Sequence, residues 1–172
     1  MFVVEDGTGL ANANSYGSFA GYVAYWTDRG AVPGEAQAVI EAALIKATDY
    51  LGFRYCWRGI RLTTAQALDW PRHCAYAEAA ADGYWVPIEG VPVEVVKATY
   101  ELGKRALAGE LAPDPTTDET GQIAQGSRIK VGPIEEELTF SGSGPSTFKR
   151  FPAVDQLLRN LVTSSGARVY RA

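Results

Sequence analysis

The residues best suited to chemistry in this sequence are arginines that alternate with aromatic side chains in the central third of the chain. Aromatic rings stack on unpaired bases and arginines neutralise phosphates, so this composition indicates a surface for single-stranded nucleic acid. The opposing interpretation is that the aromatic residues anchor a hydrophobic core and the arginines form a solvated or carboxylate-paired rim. Both interpretations concern the same residues, which are Tyr55, Trp57, Arg58, Arg61 and Trp70.

A second group of reactive residues, Asp69, His73 and Cys74, does not form a convincing catalytic set. His73 is the only histidine, and a nucleophile and its base must meet in space, which neighbours along the chain rarely do. The glycine pairs at Gly7-x-Gly9 and Gly142-x-Gly144 lack the remaining residues of a dinucleotide or phosphate-loop motif. We therefore expect no catalytic residue and no nucleotide cofactor.

The length and the hydrophobic content of the chain predict one domain with a substantial core. The chain has 172 residues, 47% of them hydrophobic, and a net charge of −4, so no global basic field attracts nucleic acid. Cys56 and Cys74 form no CxxC pair, which predicts no metal site and suits a reducing compartment. We expect no signal peptide, because Glu5 and Asp6 stand where a basic segment would begin, and no membrane span.

Hydrophobic periodicity predicts a mainly α fold built on a small helical bundle. In the central helix Ile40, Leu44 and Leu51, together with two alanines, recur at steps of three and four residues, the spacing of one apolar helix face. In the third helix Gly103 costs about 1 kcal/mol relative to alanine, and a close crossing of another helix would explain it. The predicted helices span about 15–29, 35–52, 64–69 (a short one) and 91–108.

The composition changes after residue 112 and predicts a β-hairpin arm. Residues 113–121 are polar and acidic, which predicts a mobile loop, and residues 141–146 are a Ser/Gly linker. Between them a β-arm at about 122–140 is too small to bury much by itself, so we expect it to pack on a neighbouring copy. The apolar residues of this arm are Ile129, Val131, Ile134, Leu138 and Phe140.

The end of the chain predicts an amphipathic helix at about 152–163, in a basic segment. A helix of about eleven residues is marginal alone in water and needs a partner surface. That surface is either a groove on another protein or the core of this chain. For the first possibility the docking residues are Lys149, Arg150, Phe151, Val154, Leu157, Leu158 and Leu161. The resulting division is a helical bundle at 1–112, an arm with its loop and linker at 113–146, and a docking segment at 147–172.

Several segments resemble a family of tailed-phage head proteins. They are VEDGTGLANANSY, ALIKATDYL with the following WRG turn and QALDWPR, and VPVEVVKATYELGKRAL. The family is labelled "putative DnaT-like single-stranded DNA-binding protein", and the set is similar to the head–tail connector, or adaptor, proteins of the bacteriophage neck. The resemblance covers roughly residues 3–160 in the same order.

This resemblance implies a structural virion protein and no enzyme. It implies an oligomeric, dodecameric ring of identical copies that docks onto the portal protein, contacts a downstream neck or tail-completion protein, and joins capsid to tail. Double-stranded DNA would pass through without sequence specificity during viral genome packaging. The location would be the virion neck, and the host cytoplasm during assembly. The alternative function is single-stranded DNA binding through the arginine and aromatic surface.

Overall fold

The computed structural model describes residues 1–78, 85–113, 123–130, 135–141 and 149–164. These residues form two compact units, one made of the described residues up to Leu111 together with 150–164, and the other lying between Ala112 and Lys149. The predicted loop at 113–121 and the linker at 141–146 fall almost entirely outside the described residues, as do the last eight residues of the chain.

Four helices occur in the part of the chain that the structure describes. They are α1 (Phe19–Thr27), α2 (Gln37–Arg54), α3 (Val93–Ala108) and α4 (Pro152–Leu158). Ser18 is the N-cap residue of α1, and its side-chain oxygen accepts a hydrogen bond from the Gly21 amide at 3.0 Å. The three longer helices match the predicted ones within a few residues at each end.

The core of the first unit lies where α2 packs along α3. Leu44 and Leu51 of α2 and Leu102 of α3 have no exposed surface. A Cβ atom on Gly103 would lie 3.0 Å from Cδ2 of Leu44, which is closer than ordinary van der Waals contact. The close helix crossing predicted at Gly103 is thus confirmed, and its helix-propensity cost is offset by the approach of the two helices.

The strands form short antiparallel pairs. In the first unit, β1 (Cys56–Trp57) pairs with β8 (Val162–Ser164), β2 (Ile60–Arg61) with β3 (Arg72–His73), and β4 (Tyr76–Glu78) with β5 (Trp85–Pro87). In the second unit, β6 (Ile123–Lys130) pairs with β7 (Glu135–Ser141). The fold is a small helical domain with a hairpin, as predicted, but the added sheets make it mixed α/β rather than mainly α.

The predicted short helix at 64–69 is absent. Thr63 and Gln66 do exchange the hydrogen bonds of a capping box, with the Gln66 amide donating to Thr63 Oγ1 at 3.1 Å and the Thr63 amide donating to Gln66 Oε1 at 2.9 Å. The next amide, that of Ala67, donates instead to the Leu10 carbonyl at 3.0 Å. The Ala67 amide therefore bonds to a carbonyl of a distant loop and not to a carbonyl one turn earlier, as it would in a helix, and no helix forms.

The C-terminal helix is shorter than predicted and packs on its own chain. It ends at Leu158, and Val162–Ser164 continue as a strand beside β1. The side chains of Phe151, Val154, Leu158 and Leu161 are buried in the same core as α2 and α3. The prediction that these residues dock onto a partner is therefore wrong. Leu157 packs partly against that core, and only Lys149 and Arg150 of the predicted docking set are exposed.

The hairpin of the second unit confirms the predicted β-arm in outline. Ile129 pairs with Glu136, Leu138 with Ser127, and Phe140 with Ala124. Val131 and Ile134 lie outside the described residues. Contact between this arm and a neighbouring copy stays a prediction.

Candidate nucleic-acid interface

The three aromatic residues predicted to stack on bases are core residues. Trp70 has no exposed surface, and Tyr55 and Trp57 are 4% and 8% exposed. The rings of Trp57 and Trp70 meet nearly at right angles, with centroids 5.9 Å apart, and the Trp70 amide donates to the Tyr16 hydroxyl at 3.1 Å. A base has no access to these rings, so the predicted stacking surface is wrong for all three.

The two arginines of that prediction lie nearer the surface and already have partners. Arg61 Nη2 lies 2.9 Å from Asp69 Oδ1, and Arg58 Nε donates to the Val162 carbonyl at 3.2 Å. The nearby Phe53 is 76% exposed at the end of α2. This arrangement is the buried aromatic anchor with a paired arginine rim, the second of the two interpretations above.

Partly exposed aromatic rings and cations do come together elsewhere, on α1 and α3. Tyr25 and Trp26 are partly buried, and Arg29 and Lys104 are exposed. The guanidinium carbon of Arg29 lies 3.4 Å from the centre of the Tyr25 ring, and Lys104 Nζ lies 3.9 Å from the Trp26 ring. We call these four residues the cation–aromatic surface.

Contacts with α3 hold the two rings in place. The Tyr25 hydroxyl donates to Glu101 Oε1 at 3.0 Å, and Trp26 Nε1 donates to the Tyr100 carbonyl at 3.4 Å. Burial and the Glu101 carboxylate together raise the pKa of Tyr25, so its hydroxyl keeps its proton. Glu101 also accepts from Arg105 Nη1 at 2.7 Å. Each ring is therefore fixed at its polar end while part of its surface stays open.

The absence of side chains at two glycines allows α1 to approach α3. A Cβ atom on Gly17 or Gly21 would collide with the Tyr100 side chain. Tyr100 in turn packs edge-on against Tyr22, with ring centroids 6.1 Å apart. These contacts bring the end of α1 beside the end of α3, where Lys104 lies.

A cleft of about 280 Å³ opens beside Trp26. Its walls come from α1, from the loop 31–35, and from the last turns of α3. The loop folds back onto α1 through the Ala31 amide, which donates to the Trp26 carbonyl at 2.9 Å. Burial, and then the charge of Glu35 at the cleft, raise the pKa of Tyr22 to about 12. The residues that shape its interior are Tyr22, Trp26, Val32, Glu35, Lys104 and Leu107.

Sequence reasoning missed this surface because it treated the first helix as a purely core-facing stripe. Tyr22 is indeed buried, but Trp26 of the same stripe is partly exposed and Tyr25 stands beside it. The signal that the sequence does contain is the spacing of Tyr25 and Arg29, four residues apart, which can bring a cation from the turn after α1 over a ring of its last turn.

The glycine loop near the start of the chain holds a carboxylate of its own. Glu5 is buried, and its Oε1 accepts from the amides of Gly7 and Gly9 at 3.0 and 2.9 Å, while its Oε2 accepts from the Leu10 amide at 3.0 Å. Clustered amides of this kind bind anions. Here the anion is part of the chain, so these amides are already occupied.

Within the described part of the chain, no group of three or more histidine, cysteine or acidic side chains is arranged to hold a metal ion. No helix among the same residues is long and apolar enough to cross a membrane.

The sequence matches, over residues 1–172, the family described as "putative DnaT-like ssDNA binding protein". No curated protein and no solved structure matches the chain. Nothing in the family match indicates a head–tail connector, so the resemblance to phage adaptor proteins, and the virion, neck and structural-protein roles drawn from it, are wrong. The portal and the other partners implied by that resemblance gain no support from the family. Matched over its full length, the chain belongs to the family described as "putative DnaT-like ssDNA binding protein".

Proposed function

We propose that this protein binds single-stranded DNA through the cation–aromatic surface of α1 and α3. The observation that carries the proposal is that two partly exposed rings, Tyr25 and Trp26, each have a cation within 3.4 and 3.9 Å of the ring centre. The family description names the same ligand. Rings supply stacking and cations supply phosphate neutralisation, the two components that sequence-tolerant single-strand binding needs.

Binding a base requires the cations to leave the aromatic rings, and the free energy lost in this step is small. An exposed cation–π contact is worth about 0.5–1 kcal/mol, whereas stacking a base on an aromatic ring is worth about 1–3 kcal/mol. Lys104 and Arg29 are exposed and have long, flexible side chains. Lys104 can leave the ring face to meet a phosphate while a base takes its place. Arg29 can do the same by exchanging its hydrogen bond to the Tyr25 carbonyl, which measures 2.9 Å, for one to the phosphate. The same ring thus has a partner in both states.

The overall charge of the protein limits how strong this binding can be. With a net charge of −4 the chain repels a polyanion at long range, and acidic residues such as Asp28 and Glu35 lie close in sequence to the surface. The attraction is therefore local. We expect moderate affinity, little sequence preference along most of the strand, and contact with about two phosphates, one for each exposed cation.

Fluorescence anisotropy with a short, dye-labelled oligothymidine tests this proposal. The double variant Arg29→Gln/Lys104→Gln removes both exposed cations and should weaken binding about tenfold, because each lost contact between a cation and a phosphate costs roughly 0.7 kcal/mol. The matched control is Lys46→Gln/Arg159→Gln, which removes the same two charge types from exposed positions on α2 and after α4. The control should bind within about twofold of the natural protein.

Two outcomes would overturn the proposal. One is the absence of binding by the natural protein at micromolar concentrations in low salt. The other is an equal loss in the double variant and its control, which would reduce the effect to net charge. A third variant, Arg58→Gln/Arg61→Gln, tests the arginines predicted from sequence, and we expect less than a twofold change because the aromatic rings predicted to stack beside them are buried.

A further inference from the structure

The cleft beside Trp26 has the dimensions of a site for one small planar group. Its volume of about 280 Å³ is just below the roughly 300–1,000 Å³ of pockets that hold drug-sized ligands. Trp26 and Leu107 provide apolar walls, and Val32, which is 75% exposed, stands at the loop side of the cleft with its surface uncovered. A flat ring placed there would cover both Val32 and part of Trp26.

Two side chains of opposite charge line the same cleft. Lys104 reaches it from α3 and carries three donors and no acceptor, and Glu35 reaches it from the loop and carries only acceptors when ionised. Glu35 is exposed and lines the cleft together with Tyr22 and Lys104. A ligand that satisfies both groups needs an anionic part and a hydrogen-bond donor, joined to a planar body.

We propose that this cleft takes one unpaired nucleobase that carries an amino group, with the base against Trp26, the amino group donating to Glu35 and the attached phosphate at Lys104. Where the base belongs to a DNA strand, the inference rests on the proposed function and adds a base preference to it. A free nucleoside monophosphate offers the same chemistry.

The carboxylate makes this site selective between bases of equal size. Cytosine presents an amino donor on its pairing edge where thymine presents a carbonyl oxygen. Thymine in the cleft would bring its carbonyl oxygen towards the Glu35 carboxylate. Both groups are acceptors, so no hydrogen bond could form between them. We expect the cytosine strand to bind about fivefold more tightly, the discrimination of one partly exposed charge-assisted hydrogen bond.

Parallel titrations of labelled oligocytidine and oligothymidine test this preference. The key variant is Glu35→Gln, because a glutamine offers an acceptor to cytosine and a donor to thymine and so should reduce the preference to less than twofold. Glu35 is exposed in a loop, so the substitution should leave the fold intact. The matched control is Glu89→Gln, an exposed glutamate in another loop, which should keep the full preference.

A second pair of titrations uses free dCMP and dTMP and follows tryptophan emission. The Trp26→Phe variant is the reference, because it shows how much of the change in emission comes from Trp26.

The results separate this inference from the proposed function. A cytosine preference that Glu35→Gln removes and Glu89→Gln keeps supports the inference. Equal binding of both strands, or a preference that survives in Glu35→Gln, overturns it while single-strand binding stands. If neither strand binds but dCMP quenches Trp26 more than dTMP does, the cleft is a nucleotide site and the proposed function fails. If no probe binds, both are overturned.

Discussion

The hydroxyl of Tyr55 donates a hydrogen bond to Oδ1 of Asp155 at 2.7 Å. Tyr55 is the C-cap residue directly after α2, and Asp155 lies in the first turn of α4, one hundred positions later in the chain. The bond ties the C-terminal helix to the helical body. Burial and the Asp155 carboxylate both raise the pKa of Tyr55, so the phenol remains a donor throughout the neutral range.

Replacing Tyr55 by phenylalanine should therefore destabilise the protein by about 1–2 kcal/mol, because it removes a hydrogen bond to a charged group but keeps the ring in the core. Urea denaturation followed by far-UV circular dichroism measures this change. Tyr76→Phe is the matched control, because Tyr76 is 42% exposed, and it should stay within about 0.5 kcal/mol of the natural protein. An equal effect at both positions would contradict a specific role for the Tyr55 bond.

Stability should fall at alkaline pH. Burial is the main cause of the raised pKa values of Tyr16, Tyr22 and Tyr55, and for Tyr22 the value is about 12. A tyrosine in the unfolded chain ionises near pH 10, so the unfolded state loses protons first. Each such tyrosine therefore stabilises the fold fully below pH 10, and this contribution is lost as the pH rises from about 10 to the raised pKa, by up to about 1.4 kcal/mol per pH unit.

The measurement is the free energy of unfolding between pH 9 and pH 12. Tyr22→Phe should make the free energy of unfolding depend less on pH between pH 10 and pH 12, because one tyrosine with a raised pKa is then absent. A stability that does not change across this interval in the natural protein would contradict the prediction.

Replacing the buried Leu158 of the C-terminal helix by alanine should destabilise the whole first unit. Leu158 has no exposed surface, and leucine-to-alanine changes at such positions cost about 2–5 kcal/mol. Gln156→Ala is the control on the same helix, where Gln156 is exposed, and it should have little effect. Thermal unfolding of both variants, followed by circular dichroism, gives the comparison. A fully stable Leu158→Ala variant would favour the docking helix that the sequence predicted.

Salt should weaken DNA binding only gently. Two phosphates contacted on a single strand give a slope of log K against log salt of about −1.4, at about −0.7 per phosphate. Lys104→Gln should reduce this slope by about one phosphate, and Lys46→Gln should leave it unchanged. Anisotropy titrations at four salt concentrations provide the slopes. A steep dependence that ignores Lys104 would locate the DNA on another surface.

The sequence predicted the long helices well because their apolar faces repeat at the helical period. Ile40, Leu44 and Leu51 of α2 are all buried, as that period requires. The residue types of Trp57 and Trp70 favour a core position, since aromatic side chains dominate core packing, but they also suit a stacking surface. Only the positions of neighbouring elements, here Tyr16 and β8, decide that these rings are enclosed.

Long-range contacts explain what the sequence could not predict. The Ala67 amide donates to the Leu10 carbonyl and not to a carbonyl of its own helical turn. A local sequence pattern cannot predict a partner more than fifty residues away. The apolar stripe of α4 likewise gives no sign of whether its partner is another protein or α2 and α3. The cation–aromatic surface arises because Lys104 and Trp26, on separate helices, meet only after α1 has packed on Tyr100.

The pairing of β1 with β8 has a consequence for how the protein is made. Trp57 is opposite Val162, and the Arg58 amide donates to the Leu161 carbonyl at 3.0 Å, so a ribosome must translate more than one hundred further codons before that partner exists. Until then Trp57 and its neighbours in the nascent polypeptide have an incomplete cover. The pairing of β1 with β8 is thus a late event in biosynthesis, and prematurely terminated products should be substrates for chaperones and proteases.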